Sequence, residues 1–288
     1  MKIPKNSVGR HLACVGAALL FVLVSSIVAF QRGAGNHIEL PDQDVSRVIA
    51  IYHSNDPQRS VLALRRGLSA PITNQTFRDS ILKNLPRELV KLRLNDPVLI
   101  AALRQVIKPV LDLYNRTDAY ELIVIQHPAP LVMSDSGVMV LFTTGTLART
   151  LSDDELLGLV AHEVGHELLA SRSVLFRNLY ERSLMAVGVS SQPLILRQEM
   201  AKLELECDAI AALTLAALGK NPREYVRSIE QVAKDYPNIS MGDHPAEGQR
   251  ARVITEVVTN SALPCCRQNT TSFTDLKRLI QQLGKAAN

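Results

Sequence analysis

Apolar and polar positions change rhythm several times along the chain, and each change marks an element. Residues 12 to 30, LACVGAALLFVLVSSIVAF, form an uncharged apolar run behind a basic leader, MKIPKNSVGRH. That run is longer than a typical secretory signal core and close to a minimal membrane span. A cleaved signal peptide or an N-terminal membrane anchor is therefore expected over residues 1–30. Cleavage after Ala29 would place Ile27 where a small residue is preferred, so the two outcomes stay open. Residues 31 to 44, QRGAGNHIELPDQD, read as a linker. From about 45 to 115 apolar residues recur at helical spacing, as in DPVLIAALRQVIKPVLDLYNR, with a kink or break expected at Pro109.

The rhythm then shortens. YELIVIQ (120–126) and GVMVLFTTG (137–145) are β-rich runs flanking a Pro/Ser/Asp/Gly loop, which predicts two neighbouring strands of a small antiparallel sheet. The stretch TLSDDELLGLVAHEVGHELLASR reads as a helix. Ser152 is its N-cap, Glu155 completes a capping box, and Leu156, Leu157, Val160, Val164 and Leu168 form its apolar side. A second long helix runs from near Pro193 to Gly219, and a third starts at Asn221 with Pro222 at its first position. Residues 271–285 read as a short amphipathic helix, and no internal repeat is present. Residues 31–118 are thus a linker and helical part packed on a core of 119–288. The expected class is α+β, mainly helical.

Composition narrows the function. Apolar residues are 47% and charged residues 21%, the balance of a globular chain. Lys2, Lys5 and Arg10 account for three of the 32 basic side chains, and the first 30 residues hold no acid. The remainder therefore sets 29 basic against 28 acidic groups, and with no Trp and 4% aromatics nucleic-acid binding is unsupported. Cys14 lies in the leader; Cys207, Cys265 and Cys266 allow one bridge to Cys207 or none, and their spacing matches no zinc motif.

The chemistry concentrates in VAHEVGHELL, residues 160–169. His162 and His166 are four apart and share a helix face, a spacing that suits adjacent corners of a zinc tetrahedron. Glu163 lies about 100° round from His162, placed to take a proton from water on the metal without binding the metal itself. Gly165 costs about 1 kcal/mol mid-helix against Ala, which makes sense if something approaches the backbone there. A third ligand is sought in LELECDAIAAL. Glu204 and Asp208 share a face, one suited to the metal and the other to the free N–H of a ligand histidine. Glu206 competes from about 200° round the helix, and periodicity does not decide between them. His11, His37, His53 and His127 lack partner spacing and read as surface residues.

HEVGH followed by ELECD resembles the gluzincin zinc metallopeptidases of the HtpX and CAAX prenyl endopeptidase type. The likeness covers roughly residues 120–255. It implies a zincin-type fold with one zinc held by His162, His166 and Glu204, Glu163 as base and Asp208 as support. DHPAEGQRAR (243–252) adds His244 and Arg250, which the resemblance places at the transition-state oxyanion or the zinc water. Cys207 stands where the family has Ala, and PLVMSDSG lacks the family's Asn-Ala signature. The 37 residues between His166 and Glu204 leave little room for a membrane hairpin and no stretch there is apolar enough, so an exported, non-multispanning member is expected. VMVLFTT is expected to form the cleft edge that receives substrate by strand addition.

The expected activity is hydrolysis of peptide bonds in protein substrates, misfolded envelope proteins among them, in the periplasm or at the outer membrane face. Membrane association through the N-terminus is expected if the leader is uncleaved. The rival expectation is a zinc-containing binding or chaperone-like protein that does not turn over.

Overall fold

A computed structural model describes residues 38–172 except 84, 86 and 136, and then 194–235, 244–258 and 269–286. The leader, Cys14, His11, His37, Cys265, Cys266 and Pro193 lie outside the described residues. Eleven described helices surround a three-stranded sheet, which agrees with a mainly helical α+β class. No helix among the described residues is long and apolar enough to cross a membrane.

Five helices form the first half: α1 (Asp42–Tyr52), α2 (Pro57–Arg65), α3 (Gln75–Lys83), α4 (Arg87–Leu92) and α5 (Pro97–Leu113). Asp56 and Asp96 cap α2 and α5 through backbone N–H groups, each with Pro at the first helical position. Of the kink or break expected at Pro109, the break does not occur: α5 runs on through it. Leu103, Val106, Ile107, Val110 and Leu111 are all buried, and this packing holds the helix through the missing hydrogen bond. The linker is also shorter than expected. Ile38 and Leu40 are buried, Ile38 pairs with Pro245, and α1 begins at Asp42.

The sheet corrects a second expectation. β1 (Glu121–Ile125) and β3 (Met139–Thr143) are neighbours but run parallel, and β2 (Val132–Asp135) pairs antiparallel with β3. The order β1-β3-β2 makes the sheet mixed, not antiparallel. The loop read between the two strands contains β2, so the chain reverses twice and β3 returns in the direction of β1. β3 is therefore the central strand, and β2 replaces VMVLFTT as the edge. Leu122, Val124, Val140 and Phe142 face the main core, while Ile123, Ile125, Met139 and Leu141 pack against Leu85 and Leu89. Both faces are covered, which explains why these strands read as near-continuous apolar runs.

After β3 come α6 (Thr144–Arg149) and α7 (Asp153–Arg172), which holds the two histidines. Ser152 Oγ accepts from the Glu155 N–H at 3.2 Å, and Glu155 Oε2 accepts from the Leu151 N–H at 2.7 Å, fixing the start of α7. α8 (Leu194–Ala217) crosses the middle of the molecule and packs on α7, α1, α2 and on α10 (Glu247–Glu256). It ends at Gly219 (φ +68°), where the Lys220 N–H reaches the Leu215 carbonyl at 2.8 Å. α9 (Pro222–Asp235) starts from an Asn221 cap as expected, and α11 (Thr271–Ala286) is the terminal helix.

Candidate metal centre

α7 and α8 cross closely because of glycine. A Cβ at Gly165 would stand 3.1 Å from Cys207 Cα and 3.2 Å from its Cβ and Sγ, so the close approach expected at Gly165 comes from α8. This contact turns the His162/His166 face of α7 onto the Glu204/Asp208 face of α8.

Glu204 is the point of convergence. Its carboxylate lies 3.1 Å from His162 Nε2, 3.6 Å from His166 Nε2 and 3.2 Å from His244 Nε2. Burial opposes its charge, but the imidazoles around it prevail and hold its pKa well below the usual carboxylate range. Glu206 turns away and accepts from the Tyr52 hydroxyl at 2.5 Å. The structure thus separates the two carboxylates that periodicity left undecided.

Asp208 supports His162 from the other side, 2.9 Å from Nδ1. Its carboxylate is fully buried and also accepts from Arg250 Nε at 2.7 Å, Arg250 Nη2 at 2.8 Å and the Tyr225 hydroxyl at 2.8 Å. Arg250 therefore stands behind the histidine, on Asp208. Burial opposes charge at His162, yet the Asp208 and Glu204 hydrogen bonds lift its pKa to about 10. At His244 burial prevails over Glu204, with help from the Arg250 and His162 charges, and lowers the pKa to about 4. His244 Nδ1 is buried without a hydrogen-bond partner among the described residues.

Glu163 faces β2. The Ser134 N–H donates to Glu163 Oε2 at 2.7 Å, and Ser134 Oγ donates to the Glu163 carbonyl at 3.1 Å. Burial raises the Glu163 pKa against the pull of His166 and His162. A cleft of about 190 Å³ opens beside it, lined by Leu131 and Val132, by Leu159, His162 and Glu163 of α7, by Ile229 of α9, and by His244.

His162, His166 and Cys207 have ligand atoms within 4.8 Å of one another and can hold a metal ion. A second donor set replaces Cys207 with Glu204. The two share both histidines but use His166 differently, because Cys207 Sγ meets its Nδ1 at 3.5 Å and Glu204 faces its Nε2. Glu204 is the fuller partner, since it also faces His162 and His244 through their Nε2 atoms. Burial and the nearby carboxylates push the Cys207 thiol up, which favours its neutral form beside His166. Cys207 is free of any disulfide.

All seven residues singled out from the sequence (His162, Glu163, His166, Glu204, Asp208, His244 and Arg250) meet here. His53 is exposed and bonds the Glu256 carbonyl, and His127 is half-buried in a loop, both apart from this cluster. Ser134, Cys207 and Tyr225 were not assigned a role from sequence. A signal for Tyr225 existed in Gly158, seven residues before Gly165 on the same stripe of α7; a Cβ there would stand 2.7 Å from the Tyr225 Cβ and Cγ. Against known proteins, the sequence matches no family model and no curated protein.

Proposed function

We propose that this chain is a zinc-dependent endopeptidase of the gluzincin type, acting on protein substrates in the cell envelope. One observation carries the reading. Three imidazole Nε2 atoms gather on the buried Glu204 carboxylate, while Glu163, beside the first histidine, faces a cleft. Two histidines and a glutamate are the donor set of a catalytic zinc with a position left open.

His162 Nε2, His166 Nε2 and Glu204 would hold the zinc, which would supply Lewis acidity to lower the pKa of water and polarise a carbonyl. Glu163 accepts the water proton; its raised pKa brings it nearer the value a general base needs at neutral pH. Ser134 holds Oε2 and leaves Oε1 for that proton. The proton then passes to the leaving amine as the peptide bond breaks. Because the Ser134 N–H points away from β3, the backbone of Val132, two residues earlier, faces the same side. An extended peptide laid along β2 would meet that edge beside Glu163. His244 lines the same cleft and suits a donor to the oxygen that gains charge. Arg250 holds Asp208 and lines the same cleft as His244. The basic leader and apolar run support placement in the envelope.

The test is zinc content and cleavage. The full chain is expected to bind about one zinc per molecule, to lose it with Glu204→Ala and keep it with Glu206→Ala. Glu163→Gln is expected to keep zinc and fold while losing cleavage of an unfolded protein substrate by at least about 100-fold. Absence of zinc after reconstitution would refute the reading. A cellular role that survives Glu163→Gln would point to a binding or chaperone-like protein instead.

A further inference from the structure

Tyr225 lies on α9, outside every motif that points to the metal, yet it touches three members of the cluster. Its hydroxyl is 2.8 Å from Asp208 Oδ1, 3.0 Å from His162 Nδ1 and 3.2 Å from Arg250 Nη2. The side chain is 1% exposed, and Asp208 is fully buried. Donor and acceptor counting fixes the direction of each bond. Arg250 has no acceptor, so it donates to the phenol oxygen. The single phenol hydrogen then goes to Asp208 Oδ1, an acceptor-only carboxylate that also receives Arg250 Nη2 at 2.8 Å. His162 Nδ1, 2.9 Å from the same oxygen, must carry its hydrogen to join this arrangement. With Nδ1–H committed to Asp208, Nε2, 3.1 Å from Glu204, is the ring nitrogen left for the metal.

Position is secured as well as direction. The Tyr225 ring presses on α7 at Gly158, where a Cβ would stand 2.7 Å from the Tyr225 Cβ and Cγ and 2.9 Å from Cδ2. Only a residue without a side chain lets the ring come this close. The hydroxyl is therefore held over Asp208 by backbone contact, and not by the reach of a flexible chain.

We propose that Tyr225 is a positioning residue of the metal centre: through Asp208 it fixes the tautomer and ring orientation of His162 that present Nε2 to the metal. The proposal rests on the metal reading given above. It adds a residue that no ligand spacing reveals, and it predicts that affinity for the ion is set partly from α9.

The experiment compares the full chain with Tyr225→Phe, which keeps the ring against Gly158 and removes the hydroxyl. Zinc affinity is read by competition with a chromophoric chelator, and thermal melting of the metal-free proteins is followed alongside. The expected result is zinc binding weakened by about 10- to 100-fold, the usual scale for losing a hydrogen bond that orients a ligand. Asp208→Asn, alone and combined with Tyr225→Phe, supplies a double-mutant cycle. If Tyr225 acts through Asp208, the combined loss is clearly smaller than the product of the single losses. Parental zinc affinity in Tyr225→Phe overturns the proposal while leaving the zinc reading intact. So does a fully multiplicative cycle, or weaker zinc binding that only tracks a lower melting temperature of the metal-free protein. Should Tyr225→Phe fail to fold, Gly158→Ala, which pushes the ring off α7 with the hydroxyl present, is read in the same assays. A parent chain that binds no zinc overturns both this proposal and the zinc reading, a result that no variant is needed to recognise.

Discussion

The hydrogen atom of Gly165 stands where any other residue would drive a carbon toward the Cys207 backbone. Alanine there gains about 1 kcal/mol of helix propensity but overpacks a buried crossing, at a cost of about 1–3 kcal/mol. Gly165→Ala is therefore expected to lower stability by roughly 1 kcal/mol in urea unfolding and to weaken zinc binding together with it. A stabilised variant would show that the crossing has slack. At this scale the sequence was legible wherever chemistry repeats at helical spacing. His162, His166, Glu204 and Asp208 could be read because each lies four positions from its partner on one helix. Glu204 could not be separated from Glu206 by periodicity, since α8 is buried on most of its surface and offers no single apolar face. Tyr52, the residue that draws Glu206 aside, lies 154 positions away. Tyr225 was hidden for a related reason: a lone aromatic on an amphipathic helix has no partner within its own periodicity.

Between the strands and the metal helix, the joining element is a buried ion pair. Arg116, 2% exposed, donates to the Glu167 carboxylate through Nη2 at 2.6 Å and through Nε at 3.1 Å, and to the Ser69 carbonyl at 2.7 Å. The Tyr120 hydroxyl donates to the same carboxylate, and Gly137 (φ +66°) brings the turn between β2 and β3 against it. One turn earlier on α7, Glu163 receives Ser134, so β2 is tied to α7 at two levels. Arg116→Met leaves a mostly buried carboxylate unpaired, and a loss of about 3–5 kcal/mol is expected in chemical denaturation. Adding Glu167→Gln to that variant should recover part of the loss, because the uncompensated charge is gone. If Arg116→Met alone is neutral, the pair does not hold the elements together. The strands β1 and β3 were legible as apolar runs, but their relative direction was not. Direction depends on how often the chain reverses between them, and VMSD, with two polar residues in four, has too little β signal to reveal the extra reversal.

In the whole molecule, the metal centre joins α7, α8 and the segment leading into α10 through Glu204, and Asp208 ties α7, α8 and α10 together beside it. On the zinc reading, free zinc at about 1,000 times its dissociation constant adds about 4 kcal/mol to stability. Removing it with a chelator is expected to lower the melting temperature. An unchanged melting temperature would mean that the ion does not bind the folded form. The overall class and the order of the helices could be read from capping residues and periodicity. The packing of the first half onto the last could not, because those contacts carry no local pattern.

One such contact sets when the site is complete. Leu40 and Gln249 exchange two hydrogen bonds, the Leu40 N–H donating at 3.0 Å and the Leu40 carbonyl accepting at 2.7 Å, across 209 positions of sequence. Ile38 pairs with the backbone around Pro245 beside them. Closing so long a loop is slow relative to forming α7 and α8, which need only local contacts. A growing chain therefore carries His162, Glu163, His166 and Glu204 well before it carries the clasp that holds His244 and Arg250. The first residues of the fold wait for nearly the last, and the clasp that seats His244 and Arg250 closes only in a chain synthesised past Arg250.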